Sequence, residues 1–212
     1  FHNDFDHYCV CIVFLGVMMC PKSLTEDGHE TQFAVNHLGH FLLTLLLLDI
    51  LKKSSPSRVI NVSSIAHKGG KIHFDDLNFN KVPYDSLVSY RQSKLANLLF
   101  TQELARRNKD CGVTVFALHP GVIRTELGRF VQSSHPLLSA LLSLPALLLM
   151  KTPYQGAQTS IHCAVAEGLE AHSGCYLSDC KLKEPAPEGK DPLAARRLWE
   201  ISAKLVGLHE EN

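Results

Sequence analysis

Between His29 and Lys53, apolar residues fall at Phe33, Leu38, Phe41, Leu42, Leu45 and Leu48. That spacing keeps one broad stripe on one side of a helix, so a long helix with its stripe against a core is predicted. After the turn-like Ser54-Ser55-Pro56-Ser57 comes Arg58-Val59-Ile60-Asn61-Val62-Ser63, a short β-branched run bounded by breakers that predicts a buried strand. Gly69-Gly70 then opens an irregular stretch that runs to Pro83. From Ser86 the helical period returns through Leu87, Tyr90, Lys94, Leu95, Leu98, Leu99 and Leu104, with the good helix formers Gln102, Glu103, Ala105 and Arg106 between them. Asn108 and Gly112 flank its end. Val113–Leu118 is a second predicted strand, closed by His119-Pro120-Gly121, where Pro120 removes an N–H and Gly121 frees the backbone.

Val10–Leu15 is read as an earlier strand, Gln155–Glu167 as a further helix, Cys175–Leu177 as a last strand and Pro192–Val206 as a final helix. Repeated alternation of this kind predicts an α/β fold: a doubly wound parallel sheet with right-handed crossovers and helices on both faces. Lys183–Pro192 reads as a charged, Pro-rich surface loop, and the chain has no internal repeat or low-complexity block.

At 212 residues, 45% hydrophobic and 20% charged, the chain has the make-up of one globular domain spanning residues 1–212. Lys+Arg and Asp+Glu balance at 21 each, so net charge supplies no pull toward phosphate backbones, and nucleic acid is not an expected partner. The seven cysteines have no repeating spacing and read as free thiols in a reducing, intracellular compartment. The apolar run Tyr8–Cys20 follows Asp4 and Asp6 with no Lys or Arg, so it lacks the basic leader of a signal peptide. Leu137–Met150 is apolar but holds Pro145 and falls short of the ~20 residues of a spanning helix, so no spanning segment is expected.

Ligands of an open parallel sheet collect at the carboxyl ends of its strands. Ser63-Ser64 ends one predicted strand there, His119-Pro120-Gly121 ends the next, and Tyr90 and Lys94 lie on the helix between them. Four residues apart, Tyr90 and Lys94 share one helical face. A phenol of ordinary pKa (~10) is a poor base at neutral pH, and a neighbouring ammonium would favour its phenolate and make proton transfer practicable. Each feature alone has a plainer reading, a snorkelling surface pair for Tyr90 and Lys94 and a simple strand end for the serines; their combination is what points to chemistry. A metal site of His2, His7, Cys9 and Cys11 matches none of the usual zinc spacings, and His37 and His40 lack a third ligand, so no metal is assigned.

In these residues the chain resembles the short-chain dehydrogenase/reductases, whose sheet is Rossmann-like, and among them the retinol dehydrogenase branch. Val59-Ile60-Asn61-Val62-Ser63-Ser64 resembles the family's serine strand, Tyr90-Arg91-Gln92-Ser93-Lys94 its Tyr-x-x-x-Lys motif, and Asn36 in Val35-Asn36-His37-Leu38-Gly39-His40 its helix asparagine. His119-Pro120-Gly121-Val122-Ile123-Arg124-Thr125 resembles the Pro-Gly loop over the nicotinamide, while Phe74-Asp75-Asp76-Leu77 and Arg197-Leu198-Trp199 point to the branch. The resemblance implies that Ser64 hydrogen-bonds the substrate oxygen and that Tyr90 gives or takes its proton. It implies that Lys94 lowers the Tyr90 pKa and holds the nicotinamide ribose, and that Asn36 helps place a water. Pro120, Gly121, Val122 and Thr125 are then cofactor contacts beside Tyr90 and Lys94. Implied with them are NADP(H), NAD(H) being the other candidate, and an apolar alcohol or aldehyde such as a retinoid. A Leu-rich lid at 137–150, and an endoplasmic reticulum membrane reached through segments outside this chain, follow by the same resemblance.

Two family features are missing from the sequence. No Gly-x-x-x-Gly-x-Gly turn occurs in it, and Val13-Phe14-Leu15-Gly16 stands where the family has Asn-Asn-Ala-Gly. Residues 1–15 are therefore read as a divergent leader on a chain that lacks the N-terminal, cofactor-binding part of the fold. The expected consequences are an exposed apolar edge at Val10–Leu15, lost cover for Phe41–Leu48, and, as the alternative function, a catalytically inactive product unable to bind the dinucleotide.

Overall fold

The computed structural model describes residues 9–130 and 150–208. Helix α1 runs over Thr31–Lys53. Glu30 caps it, its buried carboxylate accepting from the Gln32 and Phe33 N–H groups, and Ala34–Leu38 forms a π-helical turn within it. Helix α2 (Ser86–Arg107) is capped by Asp85, which accepts from Leu87 and Val88. Helix α3 (Pro153–Val165) opens with a reciprocal Thr152–Gln155 capping box and Pro153 in its first turn. Helix α4 (Pro192–Leu205) is capped by Asp191, which accepts from the Leu193 and Ala194 N–H groups, with Pro192 in its first turn.

Five strands form one sheet in sequence order: β1 (Cys9–Val13), β2 (Ser57–Val62), β3 (Val113–His119), β4 (Tyr176–Ser178) and β5 (Lys181–Lys183). The first four are parallel, with Cys11 opposite Val59 and Val59 opposite Val115, and β5 turns back antiparallel on β4. Alternate residues feed opposite faces. Val59 and Val115 pack with Phe41 of α1, Phe100 of α2 and Trp199 of α4, whereas Ile60, Phe116 and Leu118 pack with Cys163 of α3.

This layering corrects the expectation of uniformly right-handed crossovers. From β1 to β4 every step moves the same way across the sheet, yet α1 and α2 lie on one face and α3 on the other. The β3–β4 connection therefore has the opposite hand to the first two, a rare arrangement for parallel strands. Nor is the whole stripe of α1 uncovered: Phe41 is fully buried under Phe100 and Trp199 at ring distances of 5.1 and 5.0 Å, and Leu45 and Leu48 pack on the same cluster. The exposed positions are instead Leu43, Leu46 and Ile50.

Among the described residues one segment is, against expectation, long and apolar enough to cross a membrane, namely α1 itself, with a mean hydropathy of 1.6 over its best window. Its buried face carries Asn36, His37, His40 and Thr44 beside Phe33 and Phe41, so in this fold it is packed as a core helix. The Leu-rich segment 137–149 and the histidines His2 and His7 lie outside the described residues. All seven cysteines are unpaired thiols.

Candidate active site

A cleft of about 890 Å³ opens at the carboxyl ends of β1, β2 and β3. Ser63, Ser64, Tyr90, Lys94, His119, Pro120, Gly121 and Thr125 all line it. Its walls are largely apolar, with Ile12, Phe14 and Leu15 on one side and Ile161, Ala164 and Val165 of α3 on the other.

The two serines do different things. Ser63 is buried and its Oγ donates to the Lys94 carbonyl at 2.7 Å, tying α2 to the end of β2. Ser64, in extended backbone, accepts from the Ala66 N–H at 3.1 Å, which leaves its own hydroxyl hydrogen to donate elsewhere.

Lys94 is buried, donates from Nζ to the Val62 carbonyl at 3.1 Å, and stands 5.8 Å from the centre of the Tyr90 ring. Burial pulls its pKa down to about 8. Burial also pushes the Tyr90 phenol above its ordinary value, and the Ser64 hydroxyl pulls it part of the way back. The expected lowering of Tyr90 by Lys94 is therefore not what the chain by itself displays. In this low-dielectric setting both charged forms are disfavoured, and desolvation outweighs attraction across the pair.

Asn36 is fully buried in the π-helical turn rather than on the cleft wall. Its Oδ1 accepts from the Val17 N–H at 2.8 Å, and its Nδ2 donates to the Val17 carbonyl and to Ser93 Oγ, each at 2.9 Å. The side chain thus stitches the segment after β1 to both α1 and α2. Gly16 completes this corner: a Cβ there would stand 3.1 Å from Asn36 Oδ1, tighter than a Cβ normally sits, and in ordinary contact at 3.7 Å with Lys94 Nζ.

On the opposite rim, Gly121 has φ +101°, a backbone conformation that favours glycine. Thr125 caps the short turn Glu126–Gly128, its Oγ1 accepting from Leu127 at 3.4 Å. Val122 is 59% exposed and does not line the cleft, so of the four loop residues it is the one not brought to the site. His119, expected at the strand end but given no role, lines the cleft with its pKa lowered to about 4 chiefly by burial, and the sequence reading missed the apolar α3 wall. The α3 wall could have been sought in the apolar positions Ile161, Ala164 and Val165 of a helix that follows a strand-end loop.

Residues 16–135 match the short chain dehydrogenase family, more than half of the chain and all of the corner just described. The chain belongs to the short-chain dehydrogenase family. Within the family it is similar to retinol dehydrogenases, being 57% identical over 194 residues to human retinol dehydrogenase 13 and 53% identical over 196 residues to bovine retinol dehydrogenase 12. These alignments take in 91% and 92% of this chain but 59% and 60% of the relatives, so the chain spans about three-fifths of their length. Among solved structures, an uncharacterised protein of Mycobacterium paratuberculosis superposes with a TM-score of 0.71 at 30% identity, covering 97% of this chain and 69% of that one. NADPH-bound carbonyl reductase from chicken fatty liver shares the fold at TM-score 0.54 and 22% identity, over 81% of this chain and 64% of that one. The two segments that pointed to the branch touch each other in space. Arg197 of α4 lies over the Phe74 ring at 4.3 Å and reaches Asp75 at 3.1 Å.

Proposed function

We propose that this site belongs to an oxidoreductase that moves a hydride between NADP(H) and a retinoid or similar lipid alcohol or aldehyde. The observation that carries the reading is the convergence of Ser64, Tyr90 and Lys94 on one apolar-walled cleft at the strand ends. In the reducing direction, Ser64 donates its hydroxyl hydrogen to the substrate carbonyl oxygen and holds it beside Tyr90. The Tyr90 phenol gives that oxygen its proton as the carbonyl carbon becomes an alcohol, and the oxidising direction reverses both events. Lys94 recharges the phenol; Asn36, whose side chain ties Val17 to Ser93 of the Tyr90 helix, helps place a water behind Lys94. The apolar wall suits a long hydrocarbon substrate. The named relatives, retinol dehydrogenases, favour a retinoid.

For the dinucleotide, the residues present suit its nicotinamide end. Lys94 has three N–H donors and a single carbonyl acceptor at Val62, which leaves donors for ribose hydroxyls, and Pro120, Gly121 and Thr125 line the same rim. When bound, the nicotinamide supplies or accepts the hydride, and the protein supplies orientation and electrostatics.

The decisive variant is Tyr90→Phe, made in this chain preceded by the N-terminal part of human retinol dehydrogenase 13. Retinal-dependent oxidation of NADPH is expected to fall by about two orders of magnitude or more with folding nearly intact. Turnover within a few-fold of the parent would dismiss Tyr90 as the proton donor. A second reading rests on a specific sequence observation, the lack of any Gly-x-x-x-Gly-x-Gly turn: the 212 residues alone would then be an inactive product.

A further inference from the structure

His67 is fully buried three residues beyond Ser64, and both of its ring nitrogens are engaged. Nδ1 lies 2.6 Å from the Ser64 carbonyl oxygen, and Nε2 lies 3.2 Å from the backbone nitrogen of Ala186. A backbone N–H can only donate, so Nε2 carries the lone pair and the ring hydrogen sits on Nδ1, where it donates to Ser64. Tyr176 of β4 meets the ring edge-on at 5.0 Å. Lys68, His119 and Glu188 are the charged or titratable side chains that face it from the neighbouring turn, from β3 and from the segment after β5.

The segment that holds Nε2 is itself braced on the helix of Tyr90 and Lys94. Gln102 of α2 donates to the Gly189 carbonyl, and a Cβ on Gly189 would meet Leu98 at 2.6 Å. From the other side, Gly70 closes the serine loop onto α2 so tightly that a Cβ would stand 2.8 Å from the Arg91 carbonyl. His67 therefore sits where the serine loop, β4 and the segment braced on the tyrosine helix meet.

We propose that His67 is a positioning residue, a neutral imidazole that pins the Ser64 carbonyl to the Ala186 N–H and so fixes the serine hydroxyl against Tyr90. The inference rests on the oxidoreductase reading for its purpose, but its geometry is open to measurement without turnover. The experiment is NMR on the 212-residue chain with Tyr labelled at Cζ, whose resonance reports hydrogen bonding at the phenol, and with His labelled at both ring nitrogens. His67→Leu is expected to move the Tyr90 resonance to where Ser64→Ala puts it, and the double variant to add no further shift. His67→Asn, whose amide can stand in for the Nδ1 donor, is expected to restore the parent position. A purely structural histidine would lower thermal stability and leave the Tyr90 resonance in place. An unmoved Tyr90 resonance in His67→Leu, an additive double variant, or an Asn variant no better than Leu overturns the proposal. Should the Leu variant fail to fold, the parent's ring nitrogens decide: hydrogen on Nδ1 supports the pin, and hydrogen on Nε2 overturns it. Loss of the oxidoreductase reading would show instead as absent retinal turnover in the chain preceded by the N-terminal part of human retinol dehydrogenase 13, with these resonances unchanged.

Discussion

Ser63 and Ser64 are adjacent in sequence and separate in task, and the hydrogen bonds tell them apart where residue type cannot. Ser63 Oγ is used up on the Lys94 carbonyl, whereas Ser64 keeps a hydrogen to donate. Ser63→Ala removes a buried bond and leaves a carbonyl without that partner, a loss of about 1–3 kcal/mol. Ser64→Ala is expected to cost little stability and nearly all turnover in a protein able to bind the dinucleotide. Urea denaturation and retinal turnover on the two variants check this, and a Ser64→Ala protein with near-parental turnover would reassign the role. The expectation that Ser64 rather than Ser63 meets the substrate oxygen thus has a physical basis here. The same local reasoning bears on Gly16, the one residue kept from the Asn-Asn-Ala-Gly stretch, because a Cβ there would crowd Asn36 Oδ1 at 3.1 Å.

The helix of Tyr90 and Lys94 starts on Asp85, whose carboxylate takes two otherwise unpaired N–H groups. Asp85→Ala should lower unfolding free energy by about 1 kcal/mol, read by denaturant titration, and a change below ~0.3 kcal/mol would mean that packing alone sets the start of α2. The main helices and β1 to β4 could be read from the sequence to within a residue or two, because buried stripes and breakers encode them. The candidate quartet was legible for a different reason, since resemblance in motif order points to Asn36, Ser64, Tyr90 and Lys94 without any geometry. The π-helical turn at Ala34–Leu38 was not readable: the apolar period of α1 continues through it, and only the backbone bonding reveals it, the Gly39 N–H donating to the Ala34 carbonyl five residues back. Strand β5 is Lys-Leu-Lys with all three residues exposed, so no burial pattern marks it; pairing with β4 makes it a strand. The face taken by α3 was equally silent, since an amphipathic helix carries no record of which side of a sheet receives it.

Two whole-molecule properties follow from what is buried and what is left open. His37, packed among Phe33, Phe41 and Phe100 and bonded to Ser202, has its pKa lowered to about 3, and His40 to about 4, in both cases chiefly by burial. Both remain neutral in the folded chain while their unfolded counterparts take up protons below 6.5. The stability they permit is thus fully present above 6.5 and is lost as pH falls toward 4, so urea midpoints should drop across that window. A flat profile there would mean that these rings are hydrated. The second property is the edge of β1, which among the described residues pairs only with β2 and continues into Phe14 and Leu15, each 70% exposed. An unpaired parallel edge flanked by apolar side chains is a template for association, so the 212-residue chain should self-associate, and Phe14→Lys should reduce light scattering. The same open side bears on the cofactor. Tight dinucleotide binding needs a glycine-rich turn that brings backbone N–H groups at a helix N-terminus up to the pyrophosphate, and the sequence contains none. Lys94, Gly121 and Thr125 can receive only the nicotinamide end, and a reacting group misplaced by ~1 Å can already cost ~10²-fold in rate. Millimolar NADPH is therefore expected to leave the melting temperature of the 212-residue chain unchanged. Addition of the N-terminal part of human retinol dehydrogenase 13 should restore both stabilisation and retinal reduction. Saturable NADPH binding by the 212 residues alone, with retinal-dependent oxidation of the cofactor, would show that the strand-end corner suffices without a phosphate cradle.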